Sequence, residues 1–207
     1  MNKKTSITTL IFDFGGVIIN LDLPTCIQNL KKLGTNDIEN YLSNFGQKDF
    51  FLKFEIGEIG TPEFRNEIRK LTNKTITDAE IDNAWCSFLC DIPFERLELL
   101  EKLRKKYRLL LLSNSNPLHV EVSAAIALQG TGKTIRDYFD KCYFSYEMGL
   151  TKPDPAIFEA LLADAGLEAT ECLFLDDGPK NIEAAKRLGI QTYFVTQGEN
   201  LDFLLTL

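Results

Sequence analysis

A single histidine, His119, serves all 207 residues. That scarcity removes several enzyme classes at once. A Ser-His-Asp triad would have to use His119, and zinc sites built on histidine pairs are impossible. The cysteines are Cys26, Cys86, Cys90, Cys142 and Cys172, with no C-x-x-C among them. Their odd number and wide spacing read as reduced thiols in a reducing compartment, used as small core residues. Cys86 and Cys90, four apart, would share a helix face. No run of about 18 apolar residues occurs, so no membrane span is expected. Lys3 and Lys4 precede an apolar stretch as a secretory leader would, but Asp13 interrupts it, and a cytoplasmic protein is expected. Basic runs are also missing. Lys plus Arg is 23 against 30 Asp plus Glu, a net charge of −7, so nucleic acid is not an expected partner. Repeats and low-complexity tracts are absent. Gly130-Thr131-Gly132-Lys133-Thr134 is no P-loop, because Ala127 stands where the first glycine should be and the segment follows a helical stretch.

The chain does have the makings of an apolar core: 44% hydrophobic residues, with 15 Phe and 6 Tyr. One domain, or a core with a modest insertion, is expected. Five short apolar runs read as buried strands: Thr8–Phe12, Arg108–Leu112, Cys142–Ser145, Cys172–Leu175 and Thr192–Val195. The four leucines Leu109 to Leu112 predict a strand covered on both faces. Helical periodicity fills the later intervals over Pro93–Lys106, Pro155–Ala165 and Pro179–Leu188, with Asp154 as N-cap and Gly189 as a stop. Alternating strands and helices predict a doubly wound, Rossmann-like parallel α/β sheet. From about Thr25 to Cys90 the alternation fails and helical stretches replace it, among them Thr25–Leu33, Pro62–Leu71 and Asp78–Leu89. This is too long for a loop and reads as a helical cap inserted after the first strand. The expected division is a core of residues 1–17 and 92–207 and a cap of residues 18–91.

Ligands of such sheets collect at the carboxyl ends of the strands. The first strand is followed by Asp13-Phe14-Gly15-Gly16, the second by Ser113-Asn114, the third by a loop with Lys152, and the fourth by Asp176-Asp177-Gly178. Singly, these are a strand-end cap, a turn, a surface lysine and a helix-opening turn; only their joint placement carries weight. Three carboxylates brought together repel and raise one another's pKa. A divalent cation relieves this, and hard oxygen ligands with open positions favour Mg²⁺. Mg²⁺ and Lys152 together would supply the positive field that the surface lacks. A phosphoryl group fits between them, with Ser113 and Asn114 as donors to its oxygens. One carboxylate in line with phosphorus would act as nucleophile and form an aspartyl-phosphate.

These segments resemble the haloacid dehalogenase superfamily of phosphohydrolases, in the branch with a helical cap after the first strand. The matching text is Leu10-Ile11-Phe12-Asp13-Phe14-Gly15-Gly16-Val17, Leu111-Leu112-Ser113-Asn114, Gly149-Leu150-Thr151-Lys152-Pro153-Asp154-Pro155 and Phe174-Leu175-Asp176-Asp177. The resemblance implies Asp13 as nucleophile and Mg²⁺ ligand, and the Gly15 carbonyl as a second ligand. It implies Ser113 and Asn114 on the phosphoryl oxygens, and Lys152 bridging nucleophile and phosphate. Asp177 would bind Mg²⁺ directly, Asp176 directly or through water. The partner would be a small phosphorylated metabolite. Sugar-phosphate phosphatases of this branch are the nearest likeness, including some acting on an anomeric glucose phosphate.

One position departs from the pattern. Phosphatases of the family usually carry a second Asp two residues after the nucleophile, which protonates the leaving oxygen. Here that position is Gly15. Loss of a general acid/base costs roughly 10²–10⁴ in rate. Three readings follow: a phosphatase restricted to good leaving groups, a substitute acid such as Asp22 or the cap residue Glu58, or a site that binds a phosphorylated ligand or a partner without turnover. Dehalogenation is set aside, because those members do not use Mg²⁺ and the Asp176-Asp177 pair asks for a cation. A response-regulator receiver is set aside because its acidic pair follows the first strand. Phe54-Glu55-Ile56-Gly57-Glu58 is expected to face the core site, and Trp85 and Phe88 to pack the cap. His119, opening a helix after Pro117, is expected at the surface or as a helix-capping side chain.

Overall fold

The computed structural model describes residues 6–35, 37–42 and 48–207, apart from the side chain of Ser123; the Lys3–Lys4 pair lies outside them. Five parallel strands form the sheet: β1 Thr9–Phe12, β2 Arg108–Ser113, β3 Lys141–Phe144, β4 Cys172–Asp176 and β5 Gln191–Phe194, in the order β3-β2-β1-β4-β5. All five fall within a residue or two of the apolar runs read from sequence. The reason is visible in the burial. Leu109 and Leu111 point into one apolar cluster, Leu110 and Leu112 into another, and all four are fully buried. β1 and β4 alternate likewise, with Leu10 and Phe12 opposite Ile11, and Leu173 and Leu175 opposite Phe174. A strand with period-2 side chains and both faces covered has no polar positions to spare.

Helices supply the two covers. α5 (Phe94–Leu103) and the short α6 (Ala124–Ala127) lie over the first face. α8 (Pro155–Ala165) and α9 (Pro179–Arg187) lie over the second. Asp154 caps α8 by accepting from Ala156 N at 2.9 Å, and Gly166 closes it in the left-handed conformation. A short helix, α7 (Ser145–Met148), leaves the end of β3. The chain proceeds outward from β1 to β2 and β3 on one side and to β4 and β5 on the other. That reversal opens a crevice beyond the carboxyl ends of β1 and β4.

Between β1 and α5 lie α1 (Leu23–Lys32), α2 (Asp49–Glu55), α3 (Thr61–Lys70) and α4 (Asp78–Cys86). They have an apolar cluster of their own, in which Phe51, Phe54, Phe64 and Trp85 are almost wholly buried. Phe54 and Phe64 stack at 4.3 Å between centroids. The two strands that join this body to the sheet run side by side. Asn20 N donates to Asp91 O at 3.0 Å, Cys90 N to Asn20 O at 2.9 Å, and Asp22 N to Phe88 O at 2.9 Å. Ile18 and Ile19 pack with the sheet, not with the helices. α4 therefore stops at Cys86, short of the expected Leu89, because the following residues turn to pair with residues 20–22. For the same reason Cys86 and Cys90 do not share a helix face: Cys86 is buried and Cys90 exposed. All five cysteines are free thiols. No helix among the described residues is long and apolar enough to cross a membrane.

Candidate active site

The strand ends deliver their side chains to one place through register. Phe12 lies beside Leu111 of β2 and Leu175 of β4. The next residues along, Asp13 and Asp176, therefore sit side by side. Lys152 reaches between them from the loop after α7, its Nζ 2.8 Å from Asp13 Oδ1 and 2.7 Å from Asp176 Oδ2. All three residues are buried. Asp177, one residue further on, completes a carboxylate group whose ligand oxygens lie within 4.8 Å of one another.

Each member is held from outside the group. Asp13 Oδ1 also accepts from Phe14 N at 2.7 Å. Asp176 Oδ1 accepts from Gly178 N at 2.7 Å and from Asn181 Nδ2 at 2.9 Å. With Lys152 on its other oxygen, Asp176 accepts three hydrogen bonds. Gly16 has φ +72°, and a Cβ there would run into the Asp177 carboxylate; only glycine allows this approach. Asn114 supports Lys152. Its side-chain Oδ1 accepts from Lys152 N at 2.8 Å and its Nδ2 donates to Lys152 O at 2.9 Å. This amide, which the sequence reading assigned to a phosphoryl group, clamps the lysine's main chain and also lines the cavity. Ser113 is buried and lines the cavity, as do Gly15 and Asp13. Ser145 Oγ ties the neighbouring loop in place, accepting from Ser115 N at 2.9 Å.

The charges do not balance. Burial, then the repulsion of Asp176 and Asp177, raises the Asp13 pKa well above the usual carboxylate range, against the pull of Lys152. Burial pushes Asp177 up to about 6, with Asp176 adding to it. Burial opposes the charge on Lys152, but Asp13 and Asp176 outweigh it and keep the ammonium protonated. Three carboxylates against one ammonium, in a cavity of about 60 Å³, is a donor set that fits a hard divalent cation.

The helical body closes the cavity with Leu21, Glu55, Phe88 and Leu89. His119 lines it too and is buried, not at the surface as expected. Its ring stacks on Trp85 at 4.5 Å, Nε2 lies 3.3 Å from the Trp85 carbonyl, and Nδ1 lies 3.2 Å from Asn116 Nδ2. Asn116 Oδ1 accepts from Trp85 Nε1 at 3.3 Å. Burial pushes the His119 pKa down to about 4, only partly offset by the Trp85 carbonyl. Neither of the two side chains named as substitutes for the missing acid lines this cavity. Asp22 caps α1, accepting from Thr25 N at 3.0 Å, which lowers its pKa. Glu58 is exposed. Glu55 is the carboxyl that α2 brings to the cavity. It belongs to the Phe54–Glu58 segment expected there, yet the helical phase that selects Glu55 over Glu58 depends on the Phe51, Phe54 and Phe64 packing. Asn181 was legible in principle, lying one helical turn after the Asp176-Asp177-Gly178 turn.

Residues 7–189 match the family model described as haloacid dehalogenase-like hydrolase. A D-ribitol-5-phosphate phosphatase of Bacteroides thetaiotaomicron is 36% identical over 187 residues, covering 90% of this chain and 91% of that protein. A HAD family enzyme of the same organism, crystallised as an aspartate-to-alanine mutant with magnesium and inorganic phosphate, matches with a TM-score of 0.92 at 43% identity. That match covers 96% of this chain and 98% of the other. A predicted HAD-like family hydrolase of Porphyromonas gingivalis matches at TM-score 0.89 and 38% identity, over 97% of this chain and 96% of the other. The chain belongs to the haloacid dehalogenase-like hydrolase family and is an enzyme of its phosphatase type.

Proposed function

We propose that the protein is a Mg²⁺-dependent phosphohydrolase that removes phosphate from a small sugar or polyol phosphate through an aspartyl-phosphate on Asp13. The observation that carries this reading is the placement of one buried ammonium, Lys152, between Asp13 and Asp176, with Asp177 in chelating reach. The magnesium and phosphate in the solved relative, and the D-ribitol-5-phosphate activity in the name of another, support it.

In this reading Asp13 and Asp177 hold the ion by their carboxylates and Gly15 by its carbonyl. Asp176, bonded by Lys152, Gly178 N and Asn181, orients the lysine and would act on the ion directly or through water. When bound, Mg²⁺ supplies positive charge to the carboxylates and the phosphoryl oxygens. Lys152 holds a phosphoryl oxygen beside Asp13, and Ser113 donates to another. The Asn114 side chain keeps Lys152 in register. Asp13 Oδ2, the oxygen not bonded to Lys152 and Phe14 N, attacks phosphorus. Residues 1–17 and 92–207 act as the catalytic core and residues 18–91 as a cap that selects the substrate. A cavity of about 60 Å³ holds few water-sized groups, so a whole sugar phosphate enters only when the cap swings about the paired linkers.

The test is hydrolysis of a panel of sugar and polyol phosphates with and without Mg²⁺. Mg²⁺-dependent phosphate release that disappears in Asp13→Asn is expected. Equal release by Asp13→Asn would overturn the reading.

A further inference from the structure

We propose that Glu55, borne by the cap, is the general acid and base of the reaction, doing from across the cavity what an aspartate at Gly15 would do from the core. This rests on the phosphatase reading above.

Position 15 carries no acid, and the space for one is tight. A Cβ there would lie 3.2 Å from Leu21 Cδ1 and 3.3 Å from Cδ2. The space that an acid two residues after Asp13 would use is filled by an apolar side chain from the linker. The proton must come from elsewhere. Among the described residues, the titratable side chains lining the cavity are Asp13, Glu55, His119, Lys152 and Asp177. Asp13 is the nucleophile. Lys152 is pinned between Asp13 and Asp176 on the core side of the cavity. Asp177 belongs to the cation. His119 is neutral at ordinary pH, and both its ring nitrogens are engaged, one by Asn116 and one by the Trp85 carbonyl. Asp22 holds the first turn of α1. Glu55 is buried, faces the same cavity as Asp13, and comes from the opposite wall. A leaving group pushed away from Asp13 moves toward the cap, which is where a proton donor is useful.

The Asp13 carboxylate forms a bond to phosphorus, the bond from phosphorus to the leaving oxygen breaks, and its electron pair stays on that oxygen. The Glu55 carboxyl gives its proton there, releasing an alcohol. The Glu55 carboxylate then takes a proton from water as the water oxygen bonds to phosphorus. The bond from phosphorus to Asp13 breaks, its pair returns to the carboxylate, and inorganic phosphate leaves. One water is consumed and Glu55 ends protonated, as it began.

The experiment is rapid-mix kinetics of Glu55→Gln with Mg²⁺, on a polyol phosphate and on an activated aryl phosphate, with intact-protein mass measured in parallel. An aryl leaving group needs no proton. The variant should therefore release the first equivalent of aryl alcohol within about threefold of the wild-type rate. It should then stall, with steady turnover down roughly 10²–10⁴-fold, while phosphorylated protein accumulates. With the polyol phosphate the first turnover should fall as well. Glu55→Asp should keep part of both activities. Equal losses in both phases with both substrates would make Glu55 a structural residue and overturn the proposal, as would no loss at all. A wild-type protein that hydrolyses neither substrate would instead strike the phosphatase reading itself.

Discussion

The sheet and the cap meet at one cavity, yet they contribute to it by different rules. The sheet contributes charge, and it does so through register. Once Phe12, Leu111 and Leu175 are in line, the residues beyond them must converge, so Asp13, Asp176 and Lys152 form a buried cluster with little freedom. The cap contributes shape and one carboxyl through packing. Glu55 reaches the cavity because Phe51, Phe54, Phe64 and Trp85 interlock and fix the roll of α2. Charge at strand ends is insensitive to small changes in packing, whereas a side chain delivered by an aromatic cluster depends on every ring.

The first way to break this contrast is Asp13→Asn. If the core owns the covalent step, aryl phosphate turnover should fall by roughly 10⁴-fold or more. Thermal stability should hold or rise, since a buried carboxylate repelled by two others is removed. Large destabilisation with modest loss of turnover would reverse the assignment. The counterpart in the cap is Trp85→Ala. It removes a side chain that is 1% exposed and stacked on His119, so chemical denaturation should show a loss of about 3–5 kcal/mol. Unchanged stability would mean that the aromatic cluster does not set the position of α2.

The same contrast explains what could be read from the chain. The five strands were legible because each is short and carries a run of apolar residues, which is buried in β1 to β4 and partly exposed in β5. The site was legible because the carboxyl end of each strand is marked by its own text: Asp13 before two glycines, Ser113 before Asn114, Asp176 before Asp177 and Gly178. Position in sequence and position in space coincide there. They part company where a side chain faces another element. Asn114 reads as a phosphate donor, and only the structure adds its clamp on the Lys152 main chain. His119 reads as a polar residue opening a helix until Trp85 is seen covering it. Glu55 and Glu58 are equivalent in sequence, and only the packing of α2 separates them. α2 itself gives a weak signal, having seven residues and no side-chain N-cap.

His119 lies on the seam between the two bodies, and its titration sharpens the comparison. In the folded protein its pKa is pushed down to about 4, from 6.5. Between those values the unfolded chain binds a proton that the folded protein refuses. Stability from this group is fully present above about pH 6.5 and is lost as pH falls toward 4, by about 3 kcal/mol in all. Raised carboxyls such as Asp177 act in the opposite sense, but they are common to wild type and His119→Gln and cancel in the difference. Urea denaturation of both proteins from pH 7.5 to 4 should show the wild type losing stability faster, by about that amount. Parallel curves would mean that the imidazole is not sealed between Trp85 and Asn116.

The smallest effect is the most discriminating, because it asks whether the acid can be moved from cap to core. Gly15 does not lie in the left-handed region, and the two atoms nearest a new Cβ are the terminal methyls of Leu21. These can yield by a few tenths of an ångström, so an aspartate is admissible at some cost. Gly16 offers no such route: its φ is +72° and a Cβ would enter the Asp177 carboxylate. Placed in the Glu55→Gln background, Gly15→Asp should therefore recover about tenfold of the lost polyol phosphate turnover, a fraction of what a well-placed acid supplies. Adding Leu21→Ala should widen the gain by clearing the methyls. Gly16→Asp in the same background should recover nothing. Recovery at 15 alone would mean that the reaction needs a proton near the leaving oxygen and is indifferent to which wall provides it. Failure at 15 with Leu21 removed would mean that the loss in Glu55→Gln is one of shape, and the cap would then contribute no chemistry of its own.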